Sequence, residues 1–151
     1  MTRQNAQMGA RMRKLILNDG WKMKEVSWEE YLDAEVPGSV YTDLMANGRM
    51  QDPFYRDNEK EALAVIEHDY EYRTVFDADT ELLACDEVLL CFDGIDTLST
   101  ILLNGSFLGN TDNMHRTWEF NVKDMLREQE NELRVILHSP TKFIADSYAK
   151  E

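Results

Sequence analysis

The chain has 151 residues, of which 43% are hydrophobic, and a formal charge of -13 from 16 basic and 29 acidic residues. This length suits one globular domain with a single core and is short for two. The acidic balance opposes binding to phosphate backbones and anionic membrane surfaces, and no stretch is long and apolar enough to span a bilayer, so nucleic acid and membranes are excluded as partners.

The first fourteen residues differ in charge from the rest. They contain four of the basic residues and no acid, so residues 15–151 carry 12 bases against 29 acids, a net charge of -17. Gln4, Asn5 and Gln7 interrupt the apolar core that a signal peptide needs. We interpret residues 1–14 as a basic flexible head, residues 15–151 as the domain, and the location as cytoplasmic. Two buried thiols, Cys85 and Cys91, fit that reducing compartment.

The first predicted elements are a strand and a short helix. Apolar and charged residues alternate over residues 21–26, which is the period of a strand. After Val36-Pro37-Gly38, Ser39 is suited to cap a helix that Asn47-Gly48 ends. Residues 52–58 are typical of a loop, and residues 59–68 place apolar side chains on one side of a second short helix.

From residue 70 the pattern becomes that of β-structure. Residues 70–76 alternate as a half-buried strand, and residues 88–92 form the apolar run of a strand covered on both faces. Asn104-Gly105 predicts a type I′ hairpin, and residues 118–122 and 133–137 alternate again. With about seven strands and few helices, the predicted fold is an all-β antiparallel sandwich. After Ser139-Pro140, residues 141–150 are predicted to be helical.

Several short motifs, in this order and spacing, resemble the amino-terminal domain of family 2 glycoside hydrolases, and in particular that of the β-mannosidases. The match covers residues 17–139. The motifs are Asn18-Asp19-Gly20-Trp21, Val36-Pro37-Gly38-Ser39-Val40 with Asp43-Leu44, Asp52-Pro53-Phe54-Tyr55 with Asn58-Glu59, Phe92-Asp93-Gly94-Ile95-Asp96-Thr97, Leu103-Asn104-Gly105 with Leu108-Gly109, Asn113-Met114-His115-Arg116, and Ser139-Pro140. The Asp-Pro-Phe-Tyr loop and Asn-Met-His-Arg favour the mannosidase branch, whereas Tyr70 stands where that branch more often has tryptophan.

The resemblance implies a jelly roll of the galactose-binding-domain-like type. In such enzymes an immunoglobulin-like domain and a TIM barrel follow, and the barrel carries two glutamates that hydrolyse terminal β-mannosyl residues with retention. Neither later domain fits within 151 residues, and the jelly roll itself is expected to continue past Glu151. The chain is therefore expected to be an incomplete, non-catalytic domain that buttresses the barrel and helps to shape its sugar pocket.

Two residues are candidates for substrate binding. In related enzymes a loop of this domain brings polar side chains to the rim of the sugar pocket, which implies such a role for Asn58 and Asp52. The alternatives are that Asn58 caps the helix beginning at Glu59 and that Asp52, before Pro53, forms a turn. Neither Asn58-Glu59 nor Asn131-Glu132 is expected to supply the catalytic acid, and no cofactor or metal is expected, since the histidines lack ligand spacing.

Two other functions stay open. A free-standing carbohydrate-binding module would stack sugars on exposed aromatic residues, for which Trp28 is the best placed of the three tryptophans. Another family 2 activity, that of a β-galactosidase or β-glucuronidase, would share the general motifs. In either case a sandwich without its last strands exposes strand edges, so self-association of the isolated chain is expected.

Overall fold

Two antiparallel sheets enclose one hydrophobic core in the computed structural model, which describes residues 2–8, 11–50, 59–93, 95, 98–112 and 117–140. The smaller sheet contains β1 (Thr2–Met8), β2 (Arg11–Ile16), β6 (Glu87–Asp93) and β9 (Thr117–Asn121). The larger sheet contains β3 (Lys22–Glu25), β4 (Leu32–Asp33), β5 (Tyr70–Phe76), β7 (Ser99–Leu103), β8 (Ser106–Thr111) and β10 (Asn131–Leu137). The strand orders are β2-β1-β6-β9 and β4-β3-β5-β10-β7-β8, so the predicted all-β sandwich is confirmed.

In the described part of the chain, three short α-helices connect the strands: α1 (Val40–Ala46), α2 (Glu59–Val65) and α3 (Thr80–Leu83). The helix predicted for residues 141–150 lies outside the described residues. Ser39 caps α1 as predicted, and its side chain and that of Thr42 form a reciprocal capping box. The sequence patterns missed α3, which is a single turn capped by Asp79, because four residues are too few to show a helical period. No helix in the described ranges is long and apolar enough to cross a membrane.

Part of the basic head forms a strand, and the expectation that the head is flexible stays a prediction. β1 lies within it and pairs antiparallel with β6, with Ala6 opposite Val88, and it pairs on its other side with β2. This strand is mostly polar, so the apolar pattern that predicts a strand is missing. It can still form, because the hydrogen bonds of a sheet come from backbone N–H and C=O groups, and every residue other than proline has both. The proposed boundary between head and domain at residue 14 stays a prediction.

The predicted type I′ turn of the hairpin between β7 and β8 is confirmed. Asn104 has φ 52° and Gly105 has φ 80°, and a type I′ turn requires positive φ at both of these positions. The turn matches the twist of its two strands and so sets which side chains of β7 face the core. Ile101 and Leu103 face inward and are fully buried.

The core is formed by alternate residues of both sheets. Tyr70, Tyr72 and Phe76 of β5 face inward as predicted, and Phe92 of β6 packs edge-to-face on Phe120 of β9 with ring centroids 6.2 Å apart. The three β5 side chains and Phe92 all belong to the one core cluster, which holds the two sheets together.

Both cysteines are buried and form no disulfide, as predicted. Cys91 lies on a strand, β6, whereas Cys85 follows α3. The Cys85 thiol donates to the carbonyl of Glu81, at 3.3 Å, which is a contact across one helical turn.

Four strands form the sheet edges in the described part of the chain: β2, β9, β4 and β8. Exposed edges offer unpaired backbone groups to another chain, so we keep the prediction that the isolated chain self-associates. Sedimentation equilibrium should show a mass that rises with protein concentration. A monomer mass across the whole accessible range would contradict it.

Candidate functional site

The two candidate sugar-binding residues, Asp52 and Asn58, lie outside the described residues, and so does the 113–116 segment. What the structure does describe is the helix that follows, since α2 begins at Glu59, directly after Asn58. Sugar binding and helix capping by Asn58 both stay predictions. The described residues nevertheless show how the other candidate side chains are used.

Asp43 is a buried carboxylate, 3% exposed, in the first turn of α1. It accepts hydrogen bonds from the Tyr72 hydroxyl at 2.6 Å and from the backbone N–H of Glu35 at 2.9 Å. Burial, together with this carboxylate, raises the pKa of Tyr72 far above its usual value, so the phenol stays neutral and donates. Asp43 thus ties α1 to β5 and to the segment before Val36.

Glu71 is also buried, although it lies on the outer face of the larger sheet, where alternation predicts exposure. Its side chain accepts hydrogen bonds from the Tyr31 hydroxyl and from the Arg134 guanidinium, whose Nε lies 2.9 Å away. Burial alone raises the pKa of Glu71, but the hydrogen bonds and the charge of Arg134 outweigh it, so the pKa lies below its ordinary value. Local sequence carries no sign of this cluster, because Tyr31 and Arg134 are far from Glu71 along the chain.

These two carboxylates do not form a catalytic pair. A retaining glycosidase needs carboxyl groups about 5–5.5 Å apart that flank one bond. Asp43 contacts Tyr72, which faces the core from β5, whereas Glu71 lies on the opposite face of the same strand. The sheet therefore separates the two carboxylates, so they do not flank one bond.

The Asn131-Glu132 pair resembles a catalytic motif in sequence. In the structure both side chains are hydrogen-bonded to other parts of the domain. Asn131 is fully buried, and its side chain bonds to the backbone of Arg127 and Phe76. Glu132 accepts a hydrogen bond from Arg73 Nε at 2.8 Å. That neither residue acts as a catalytic acid stays a prediction.

Neither Trp21 nor Trp28 presents an open stacking platform. Trp21 is buried, and its Nε1–H donates to the Leu17 carbonyl at 2.8 Å. Trp28, which we expected to be exposed, is half-buried: it packs edge-to-face on Tyr70, and the Arg49 guanidinium lies 5.4 Å from its ring centroid. A sugar would have to displace this cation to stack on Trp28.

The two histidines that the structure describes each lie near one carboxylate. His68 Nδ1 lies 3.5 Å from Glu25 Oε1, and His138 Nδ1 lies 3.4 Å from Asp69 Oδ2. Across the described ranges, no group of three or more His, Cys, Asp or Glu side chains is arranged to hold a metal ion.

A β-sandwich with a capped helix beside its core defines the class of a galactose-binding-like domain, and comparisons with known proteins agree. The model of the family described as glycosyl hydrolase 2 galactose-binding domain-like matches residues 21–151. The chain is 31% identical over 127 residues to the β-mannosidase of Mus musculus. The aligned region covers 84% of this chain and 14% of that protein. It therefore belongs to the amino-terminal domain family of family 2 glycosyl hydrolases.

Solved structures support the same assignment. The β-D-mannosidase of Dictyoglomus thermophilum is similar with a TM-score of 0.86 and 47% identity, over 88% of this chain and 16% of that one. A β-glucuronidase from an uncultured Clostridium is similar in fold alone, with a TM-score of 0.60 and 22% identity over 81% of this chain and 21% of that one. The chain is thus a β-mannosidase-like domain that spans less than a fifth of the length of its mannosidase relatives.

Proposed function

We propose that this domain is a non-catalytic part of a β-mannosidase-like enzyme, in which it buttresses the catalytic barrel and helps to shape the sugar pocket. The observation that carries the proposal is the similarity to the Dictyoglomus thermophilum β-D-mannosidase, at 47% identity over 88% of this chain. The parent enzyme would hydrolyse terminal β-mannosyl residues with retention, using two carboxylates of its barrel.

The contacts of the described carboxylates support a non-catalytic role. Asp43 and Glu71 are the buried acids of the described core, and each is held by hydrogen bonds that a catalytic acid or nucleophile would have to give up. A catalytic carboxyl instead needs access to the substrate and a pKa matched to its task. Neither group has substrate access.

Hydrolysis of 4-nitrophenyl β-mannoside tests the proposal when this chain and the protein from its full reading frame are assayed side by side. We expect activity only in the longer protein. Activity in the 151-residue chain alone would overturn the non-catalytic assignment. If the longer protein cleaves only the matched β-galactoside or β-glucuronide, the mannosidase assignment is wrong.

The role of Asn58 is testable in the longer protein by two substitutions. If its amide contacts the sugar, Asn58→Ala should raise KM for the mannoside about tenfold, which is the loss of one hydrogen bond worth about 1.4 kcal/mol. Asn58→Ser is the matched control, because serine caps helices as well as asparagine does but is too short to reach the same sugar atom. A serine variant with normal KM would show that Asn58 acts as a helix cap.

A free-standing carbohydrate-binding module is the second candidate, and the described tryptophans argue against it. Trp21 is buried and one face of Trp28 is occupied by Arg49. Titration calorimetry of this chain with mannobiose separates the two functions. Saturable binding by the isolated chain would favour the module.

A further inference from the structure

An apolar cavity of about 290 Å³ opens at one end of the sandwich. It lies between α1, the end of α2 and the adjoining ends of β5 and β10. Its lining includes Val36, Tyr41, Val65, Leu98, Val135 and Pro140. For comparison, an engineered apolar cavity of about 150 Å³ is large enough to bind benzene.

One hydroxyl at this cavity has no hydrogen-bond partner among the described residues. Tyr70 lines the cavity and is 6% exposed, and its hydroxyl makes no hydrogen bond within the described part of the chain. The hydroxyl is also not among the fully enclosed polar atoms that lack a partner, so it retains some accessible surface. A ligand that fills the cavity and shields this hydroxyl from solvent has to accept its hydrogen bond, because a hydroxyl buried without a partner is costly.

The phenol of Tyr70 is suited to donate at any physiological pH. Burial, with added repulsion from Glu25 and Tyr41, raises the pKa of Tyr70 to about 12. By contrast, the neighbouring Tyr72 hydroxyl, which also lines the cavity, already donates to Asp43. Tyr70 is therefore the hydroxyl left to bind an incoming group.

The lining and the charge of the chain restrict the ligand. Three tyrosine rings, those of Tyr41, Tyr70 and Tyr72, contribute to the walls, and aromatic rings pack well edge-to-face on one another. The chain carries a net charge of -13, and Glu35 lies at the cavity, so an anion is disfavoured. Water fits poorly, because a bound water needs two to four polar partners and most of the lining is apolar.

We propose that this cavity binds a compact, neutral aromatic compound with one oxygen that accepts the hydrogen bond of the Tyr70 hydroxyl. The ring fills the apolar space between α1 and the ends of β5 and β10, and the oxygen faces Tyr70. The site is tested by ligand binding, which needs no glycosidase activity.

The test uses 4-methylphenol and toluene, which share a methyl-substituted ring and differ by one hydroxyl. Binding to the 151-residue chain is followed by NMR titration of protein resonances. We expect saturable binding of both, with toluene about five- to tenfold weaker, as the loss of one hydrogen bond predicts. Absence of saturable binding by 4-methylphenol would overturn the proposal.

Tyr70→Phe separates a hydrogen bond from a packing role, because it removes only the hydroxyl. It should weaken 4-methylphenol about five- to tenfold and leave toluene within about twofold. Equal weakening of both ligands, or of neither, would show that Tyr70 does not donate to the ligand and would overturn the assignment.

A second variant is designed to fill the cavity. Val65→Trp places an indole where the ligand ring would lie and should abolish binding of both compounds. Val75→Trp is the matched control, because Val75 is 43% exposed on β5 and is absent from the cavity lining. Unchanged binding in Val65→Trp, with a circular dichroism spectrum like that of the parent, would place the ligand elsewhere and overturn the proposal.

Discussion

Replacement of Asn131 by alanine is expected to lower the free energy of unfolding by about 3 kcal/mol, because it leaves several buried polar groups without partners. The Asn131 side chain is fully buried. It donates to the carbonyls of Phe76 at 3.2 Å and Arg127 at 2.8 Å. It accepts from the Arg127 N–H at 2.8 Å and from the Asn104 side-chain amide at 3.1 Å.

Asn131 therefore joins three segments that are distant in sequence: the end of β5, the turn before β10 and the β7–β8 hairpin. Asn104 extends the network, since its side chain also donates to the Met125 carbonyl at 2.8 Å and accepts from the Glu132 N–H at 2.9 Å. Alanine at position 131 can replace none of these bonds, and the site is too enclosed for water to reach easily.

Urea denaturation of the parent and of Asn131→Ala measures the effect, with Asn110→Ala as the control. Asn110 is exposed on β8 and accepts one hydrogen bond from Thr100, at 2.8 Å. Its loss should cost less than about 1 kcal/mol, because water can replace the partner. Equal losses for the two variants would mean that burial of Asn131 does not set its contribution.

Replacement of Arg134 by methionine is expected to lower the free energy of unfolding by about 3 kcal/mol at neutral pH, because it leaves the buried carboxylate of Glu71 without its cationic partner. The Glu71 side chain is 4% exposed, whereas Arg134 is 33% exposed. Methionine preserves most of the apolar stem of arginine but removes the charge and the hydrogen bonds that the guanidinium donates to Glu71. The Tyr31 hydroxyl remains as a partner of Glu71, which keeps the loss below that of a wholly unpaired charge.

The loss should depend on pH in a definite direction. The folded-state pKa of Glu71 lies below the ordinary value of 4.5, so its stabilising contribution is present above that value and is lost as pH falls through the folded pKa. The difference in unfolding free energy between the unsubstituted chain and Arg134→Met should therefore be largest at neutral pH. It should shrink on acidification below a pH of about 4.5. A difference that stays constant across this range would show that Glu71 does not carry the effect.

Arg73→Met is the matched control for Arg134→Met. The two arginines lie opposite each other on adjacent strands, β5 and β10, and both face outward. Arg73 pairs with Glu132, and both of those side chains are 34% exposed, so solvent screens the pair and its loss should cost about 1 kcal/mol or less. If the two variants lose equal stability, the burial of Glu71 is not the cause.

Sequence periodicity predicted most of the strands, because their side chains alternate between the core and solvent. The strand from Tyr70 and the apolar run around Leu90 are both present, and the hairpin at Asn104-Gly105 has the predicted turn. These features are local: each depends on residues within a few positions of one another. Motifs along the chain also identified the family, which the family model and the mannosidase relatives confirm.

Features that depend on distant residues were not predictable in the same way. Glu71 alternates as a solvent-facing residue, yet Tyr31 and Arg134 cover it from positions 40 and 63 residues away. The strand in the basic head shows no pattern of its own, because it is defined by pairing of its backbone with β6.

By itself, the sequence determined the class of fold, the family and the turn chemistry, since alternation, caps and positive-φ residues act over short range. Only the tertiary structure decided which polar residues are buried, as for Glu71 and Asn131, and which residues line the apolar cavity, as for Tyr70. The physical reason is that burial and hydrogen-bond partners are set by the packing of two sheets, which brings together residues that no local pattern connects.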